Sequence, residues 1–284
     1  MDRSAWVRRI AALDPAVPDE AEEIHRITAA IEFPWDVRQA LGLALFRTYA
    51  VPTIGELLAR TGEFTSRTQK RYDDTVLLLG ATVERGLDAP DSRTAIRRMN
   101  QMHRRYGIAN DDMVYVLATF VVTPLRWLDA FGWRPLHPHE RLAAVAHYRA
   151  LGRRMGIRDM PDDEAGFAAL MDRVEAERFS CTDGGRRVAD ATLALMTTFP
   201  PFSRLPAPAV RRGTTCLMDP HLLRALGYAV PTRAERLAAH AGMRLRALVE
   251  RRMPPRTTMV TVEELPEVRS YPGGVDLAKL GTFA

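Results

Sequence analysis

The sequence predicts an all-α protein, a single globular helical domain spanning residues 1–284 with a C-terminal helical extension. Apolar residues recur at three- and four-residue spacing through nearly the whole chain, and no convincing stretch alternates with period two. Glycine and proline fall at intervals suited to helix ends. With 46% hydrophobic and 26% charged residues over 284 positions, the chain can bury a sizeable core, and disorder over most of its length is excluded.

The elements follow in order. Pro34 opens a helix over 35–49, and Thr53 caps one over 54–60 that Gly62 ends. Thr65 or Ser66 starts a long helix to about residue 85, with Gly86 after it. Ser92 starts 93–106, closed by Gly107, and Asn110 caps an apolar helix over 111–122. An amphipathic segment at 138–155 stops at Gly156, Asp162 or Asp163 opens a helix to about 179, and 185–198 runs up to Pro200-Pro201. Short helices at 206–212 and 219–226 precede a longer one at 232–252, which Pro254-Pro255 terminates. Residues 257–284 carry Gly273-Gly274 and little periodicity, which predicts an extended tail, while the core is expected within about the first 160 residues.

The formal charge of +5 invites a nucleic-acid partner, but 38 of the 40 basic residues are arginine and their pairs are scattered along the chain. A nucleic-acid footprint gathers on one face with interleaved aromatics, so no such partner is expected. Cys181 and Cys216 have no metal-like or redox spacing, and the absence of Cys-x-x-Cys-His excludes covalent c-type haem. The charged start (Asp2, Arg3, Arg8, Arg9) does not resemble a signal peptide, so a cytoplasmic location is expected. The most apolar run, residues 113–122, is shorter than the roughly 20 residues that span a bilayer, so no transmembrane segment is expected.

Two helices carry an unusual mixture of residues. Arg71, Asp74, Thr75, Leu78 and Thr82 share one face of the first, and Ile96, Met99, Asn100, His103 and Gly107 share one face of the second. The connection at residues 86–91 is short, which favours antiparallel packing. Thr75 and His103 lie equally far from its centre near Ala89, so they are expected to stand level, about 20 Å from the turn. Close-packed helices leave only about 8–10 Å between axes, so a cofactor between these faces has to wedge them apart. Neutral imidazole is a common metal ligand, yet a lone histidine on an Arg-rich helix also reads as a hydrogen-bonded surface residue. Asp73 and Asp74 read equally as solvated carboxylates, Asp74 pairing with Arg71. Arg134 reads as packing over Trp133, Asn110 to Asp112 as an N-cap with first-turn acids, and Met99 and Met102 as core filling. His137 and His139 lack the further ligands a zinc site needs.

Five motifs occur in a specific order: Lys70-Arg71-Tyr72-Asp73-Asp74-Thr75, then Arg97 through His103 (Arg-Arg-Met-Asn-Gln-Met-His), then Tyr106-Gly107-Ile108-Ala109-Asn110-Asp111-Asp112 with the apolar run from Tyr115 to Phe120. Phe131-Gly132-Trp133-Arg134 with Glu140, and Met155-Gly156-Ile157 with Met160-Pro161, complete the set. Across about residues 33–255 the chain resembles the rubber oxygenase (latex clearing protein) and MpaB-type oxygenase family. The resemblance implies a globin-like helical core holding non-covalent haem b, with His103 as axial iron ligand. It also implies a pocket carrying Arg71 and Thr75, with Met99 and Asn100 beside the cofactor. The implied reaction is dioxygen-dependent oxidation of an apolar or unsaturated substrate, in some members cleavage of a carbon–carbon double bond. Rubber-cleaving members carry lysine immediately before that threonine, where this chain has Asp74. A carboxylate exchanges protons and differs from an amine as a ligand, which makes Asp74 a candidate proton carrier and argues against polyisoprene as substrate. The rival readings are a haem carrier, sensor or peroxidase-like protein, and a helical interaction protein that has lost its cofactor.

Overall fold

The computed structural model describes residues 2–281, and among these it forms fourteen α-helices and no strand. The last residues of the expected tail, 282–284, lie outside the described residues. The N-terminal region, given no helix from sequence, forms α1 (Ala5–Ala12) and α2 (Pro18–Arg26), which runs on as a wider π-type turn to Glu32. The helices α3 (Pro34–Tyr49) and α4 (Pro52–Thr61) each begin on a proline, whose fixed φ and missing N–H suit a first helical position. Thr53 therefore lies inside α4 instead of capping it. The expected long helix over 65–85 is broken into α5 (Glu63–Ser66) and α6 (Thr68–Glu84) by Arg67, which leaves helical geometry between them.

In α7 (Pro90–Tyr106) the first residue is again proline, and Gly107 ends it at a φ of +59°, a conformation that costs glycine nothing. Ser92 does not cap it, because its hydroxyl donates instead to the Ala81 carbonyl of α6 at 2.8 Å and ties the two helices together. The apolar helix is longer than expected: α8 (Asn110–Phe131) continues past Pro124. An interior proline costs roughly 3 kcal/mol. Here Leu125, Trp127, Leu128 and Phe131 beyond it are buried, and their packing outweighs that cost. By length and composition α8 meets the requirement for crossing a membrane, but 78% of its apolar window is already buried inside the fold. Asn110 is not its cap: its side chain pairs with both backbone groups of Arg158.

The remaining helices are α9 (Pro138–Arg154), α10 (Glu164–Arg178), α11 (Asp183–Met196), α12 (Ala207–Cys216), α13 (Pro220–Ala225) and α14 (Arg233–Glu250). Asp163, Thr182 and Thr232 cap α10, α11 and α14 with their side chains. His137 caps α9, accepting the His139 amide while Glu140 accepts the His137 amide, so the two histidines serve a helix start.

Helix α8 is the axle of the fold, packed by α3, α9, α10 and α14. The core is not confined to the first 160 residues: Phe167, Met171, Val188 and Leu223 are fully buried in it, because α10, α11 and α13 close its flank. Gly55 and Gly185 let α4 and α11 cross at contact distance, a Cβ on Gly185 falling 2.3 Å from the Tyr49 carbonyl oxygen. Arg134 stacks over Trp133 as expected, and is also ion-paired to the buried Glu32 and Glu140 at 2.9 and 2.7 Å.

The expected tail is extended and strapped onto α6 and α7. Both Arg269 and Ser270 amides donate to Asp73 Oδ2, at 3.0 and 2.8 Å. The Tyr271 hydroxyl donates to Asp74, the Gly281 amide donates to Asp74 Oδ2 at 3.1 Å, and Arg98 holds the Leu280 carbonyl.

His25 of α2 and His147 of α9 stack at 4.3 Å between ring centres, each with Nε2 buried and without a hydrogen-bond partner among the described residues. Burial pushes the His25 imidazole down from 6.5 to about 4 and His147 well below 6.5. The unfolded chain takes up protons that the fold refuses, so stability is complete above pH 6.5 and declines as pH falls toward 4. His25 alone is expected to lower the unfolding free energy by about 2 kcal/mol between pH 7 and pH 5. Urea unfolding at the two pH values measures it; identical stabilities would contradict the neutral buried pair.

Candidate functional site

Helices α6 and α7 pack antiparallel across the loop at residues 85–89, and the register read from sequence brings their polar faces to one cavity. That cavity measures about 560 Å³, inside the range of small-molecule and cofactor sites. Arg71, Thr75 and Leu78 line it from α6, and Met99, Met102, His103 and Tyr106 from α7. The apolar walls come from Leu79, Met113, Val116, Leu117 and Phe120. Met102 is expected from sequence as core filling, Ile108 is named only within a motif, and Tyr49 and Phe64 carry no sequence signal; all four line the cavity.

His103 sits in the last turn of α7, four residues before the glycine that ends it. Its Nδ1 is buried and has no hydrogen-bond partner among the described residues. Burial, then the positive charge of Arg71, push its imidazole down from 6.5 to about 4, so it is neutral near pH 7 with its lone pair available. Arg71 donates to the Thr75 hydroxyl, which itself donates to the Arg71 carbonyl at 2.9 Å. The guanidinium stacks 4.9 Å from the Phe64 ring centre, and among the described residues it forms no ion pair. Burial works against its charge, with Tyr49, Asp74, Glu63 and Tyr106 acting on it from a distance. A half-buried cation with no counter-ion in contact is costly, and it suits a site that receives an anionic or strongly polarised group.

Two expected members stand elsewhere. Asn100 faces away from the cavity and donates to the Arg154 carbonyl at 3.0 Å, joining α7 to the end of α9. Asp74 lies at the edge of the α6 stripe, turned toward the tail: besides Tyr271 and Gly281 it pairs with Lys70 at 2.8 Å. Its partner is thus Lys70, one turn earlier, and not Arg71. Lys70 also donates to the Gly281 carbonyl at 3.1 Å, so it too serves the strap. Asp74 is only 2% exposed, and the sequence held no sign that a segment two hundred residues away would claim it. No cluster of three or more His, Cys, Asp or Glu suited to a metal ion occurs among the described residues.

The donor set fits a haem group. One neutral, unpartnered imidazole enters an apolar cavity of adequate volume, opposite a buried cation and a hydroxyl.

Comparison with known proteins identifies the family of the chain. The family described as "ER-bound oxygenase mpaB/B'/Rubber oxygenase, catalytic domain" matches residues 36–250, close to the 33–255 body expected from the motifs. The ER-bound oxygenase mpaB of Penicillium roqueforti (strain FM164) is 38% identical over 157 residues, 52% of this chain and 53% of that protein. The ER-bound oxygenase mpaB' of Penicillium brevicompactum is 30% identical over 267 residues, 87% of this chain and 62% of that protein. The chain thus spans about half to three fifths of the length of these relatives.

Proposed function

Because the chain belongs to the mpaB and rubber oxygenase catalytic-domain family, we propose that it is a haem b-dependent oxygenase acting with dioxygen on an apolar or unsaturated small molecule. The observation that carries the reading is the neutral, unpartnered His103 imidazole in a 560 Å³ apolar cavity opposite Arg71 and Thr75. Haem, when bound, supplies the redox chemistry with dioxygen.

This chain's residues do the rest. His103 would hold the iron through its imidazole, whose low proton affinity keeps it deprotonated well below pH 7. Arg71 would offer its charge to a propionate or to dioxygen, and the contacts with Thr75 and Phe64 hold it in place beforehand. Leu78, Leu79, Met113, Val116 and Phe120 exclude water and favour an apolar substrate. Asp74, bound into the strap, serves the proposed site by fixing α6.

Absorption spectra before and after dithionite test the cofactor. A Soret band with a b-type pyridine haemochrome is expected, and colourless protein made with ample haem supply would reject it. Oxygen uptake with an alkene substrate then distinguishes an oxygenase from a carrier that binds dioxygen reversibly.

A further inference from the structure

A second cavity of about 110 Å³ adjoins the first. Leu45, Thr75, Leu79 and Phe120 line both, so these four side chains stand at the junction of the two. Most of its other lining is apolar, including Val37 and Leu41 of α3, Val76 and Val83 of α6, and Val260 and Val262 of the tail. The volume is somewhat below that of the roughly 150 Å³ apolar cavity that holds a benzene ring, so it suits a slender chain.

Two features of α3 mark this chamber as more than a packing gap. Arg38 lines it, yet among the described residues its guanidinium makes no hydrogen bond or ion pair. Burial works against its charge, and Glu267 and Tyr72 favour it only from a distance. Glu267 keeps one buried oxygen without a partner among the described residues, so the charges that would neutralise each other stand apart. Gly42, in the middle of α3, also faces the chamber, and a Cβ built there meets nothing within 4 Å. Glycine in a helix interior is costly relative to alanine. No neighbour requires it here, and its effect is to keep the chamber open.

We propose that the chamber and the main cavity form one elongated site for an unsaturated apolar chain ending in a carboxylate, with the carboxylate on Arg38 and the chain running past Thr75 and Phe120. The planar guanidinium presents paired donors that match a carboxylate, which relieves its missing counter-ion. Arg38 and Leu45 are seven residues apart on α3, about 10 Å, so the head group and the junction are separated by a stretch of chain. Four other titratable groups line the chamber and none competes: burial keeps the Tyr72 and Tyr148 hydroxyls neutral. His147 is kept neutral by burial, and Glu84 accepts the Val262 amide at 2.6 Å. The fate of the chain rests on the oxygenase reading, whereas its binding does not.

Calorimetric titration of the purified protein with myristoleic acid and with myristoleyl alcohol tests this, since the two differ only at the head group. The acid is expected to bind at least tenfold more tightly than the alcohol. Arg38→Gln should remove that gap by weakening the acid alone, Arg38→Lys should retain part of it, and Gly42→Leu should weaken both by filling the chamber. All three variants should keep the wild-type melting temperature or exceed it, and keep the wild-type haem content. Equal affinities for acid and alcohol, no binding of either, or an unchanged acid affinity in Arg38→Gln would overturn the proposal. So would loss of haem in Arg38→Gln, which would give the guanidinium to a propionate. A wild type that binds the acid but shows no Soret band would instead reject the haem reading and leave the carboxylate site standing.

Discussion

Replacing His103 with alanine is expected to give a folded and nearly colourless protein. Alanine is the better helix former, and the substitution removes a buried nitrogen that has no partner, so the apoprotein should lose no stability. Haem retention should fall by more than tenfold, because among the described residues no other histidine lines the cavity. His137→Ala and His147→Ala should keep the Soret band: His137 caps α9, and His147 lies in the buried pair with His25. Added imidazole should restore part of the band in His103→Gly, where the vacated volume admits it. Full haem content and an unchanged spectrum in His103→Ala would assign the iron to another residue. Protein that fails to fold would point to a structural histidine.

Asp74→Ala is expected to destabilise the fold by about 3–5 kcal/mol, the range for breaking a buried charged pair from one side. It strands Lys70, the Tyr271 hydroxyl and the Gly281 amide at once. Asp74→Asn keeps one acceptor oxygen and should cost less, about 1–3 kcal/mol. Guanidinium unfolding gives both values, and haem content with turnover per bound haem separates structure from chemistry. The strap predicts that Asp74→Asn retains wild-type turnover per haem. A variant of near-normal stability whose turnover collapses would restore the proton-carrier role expected from sequence.

Much of the arrangement was legible because it is local. Proline and glycine fixed most helix limits, and the short loop after α6 let the levels of Thr75 and His103 be counted from its centre. What was hidden depends on distant chain. Asp74 sits about sixty degrees from the middle of its stripe, so periodicity could not say which neighbour would take it. Asn100 is likewise claimed by the end of α9. Arg67 breaks the expected long helix with no glycine or proline to announce it. The stacking of His25 on His147 joins helices far apart in sequence, and neither residue has a motif around it. Pro124 misled in the opposite direction, since a local helix breaker was overruled by the burial of the turns beyond it.

The strap from Arg269 to Gly281 also has a consequence for the order of events during synthesis. Helices α6 and α7 leave the ribosome long before the residues that clamp them, which follow almost two hundred positions later. Until then Asp73 and Asp74 lack their backbone and tyrosine partners, and both helices are free to breathe. Domains begin to organise from the N-terminal side as they emerge. This one is left with an unlatched pair of helices until residues 269–281 appear. Retention of the proposed haem is therefore expected to become durable only once residues 269–281 have cleared the ribosome, when the latch closes. Ribosome-stalled chains ending before and after that point, supplied with haem and then washed, would differ in how much colour they keep.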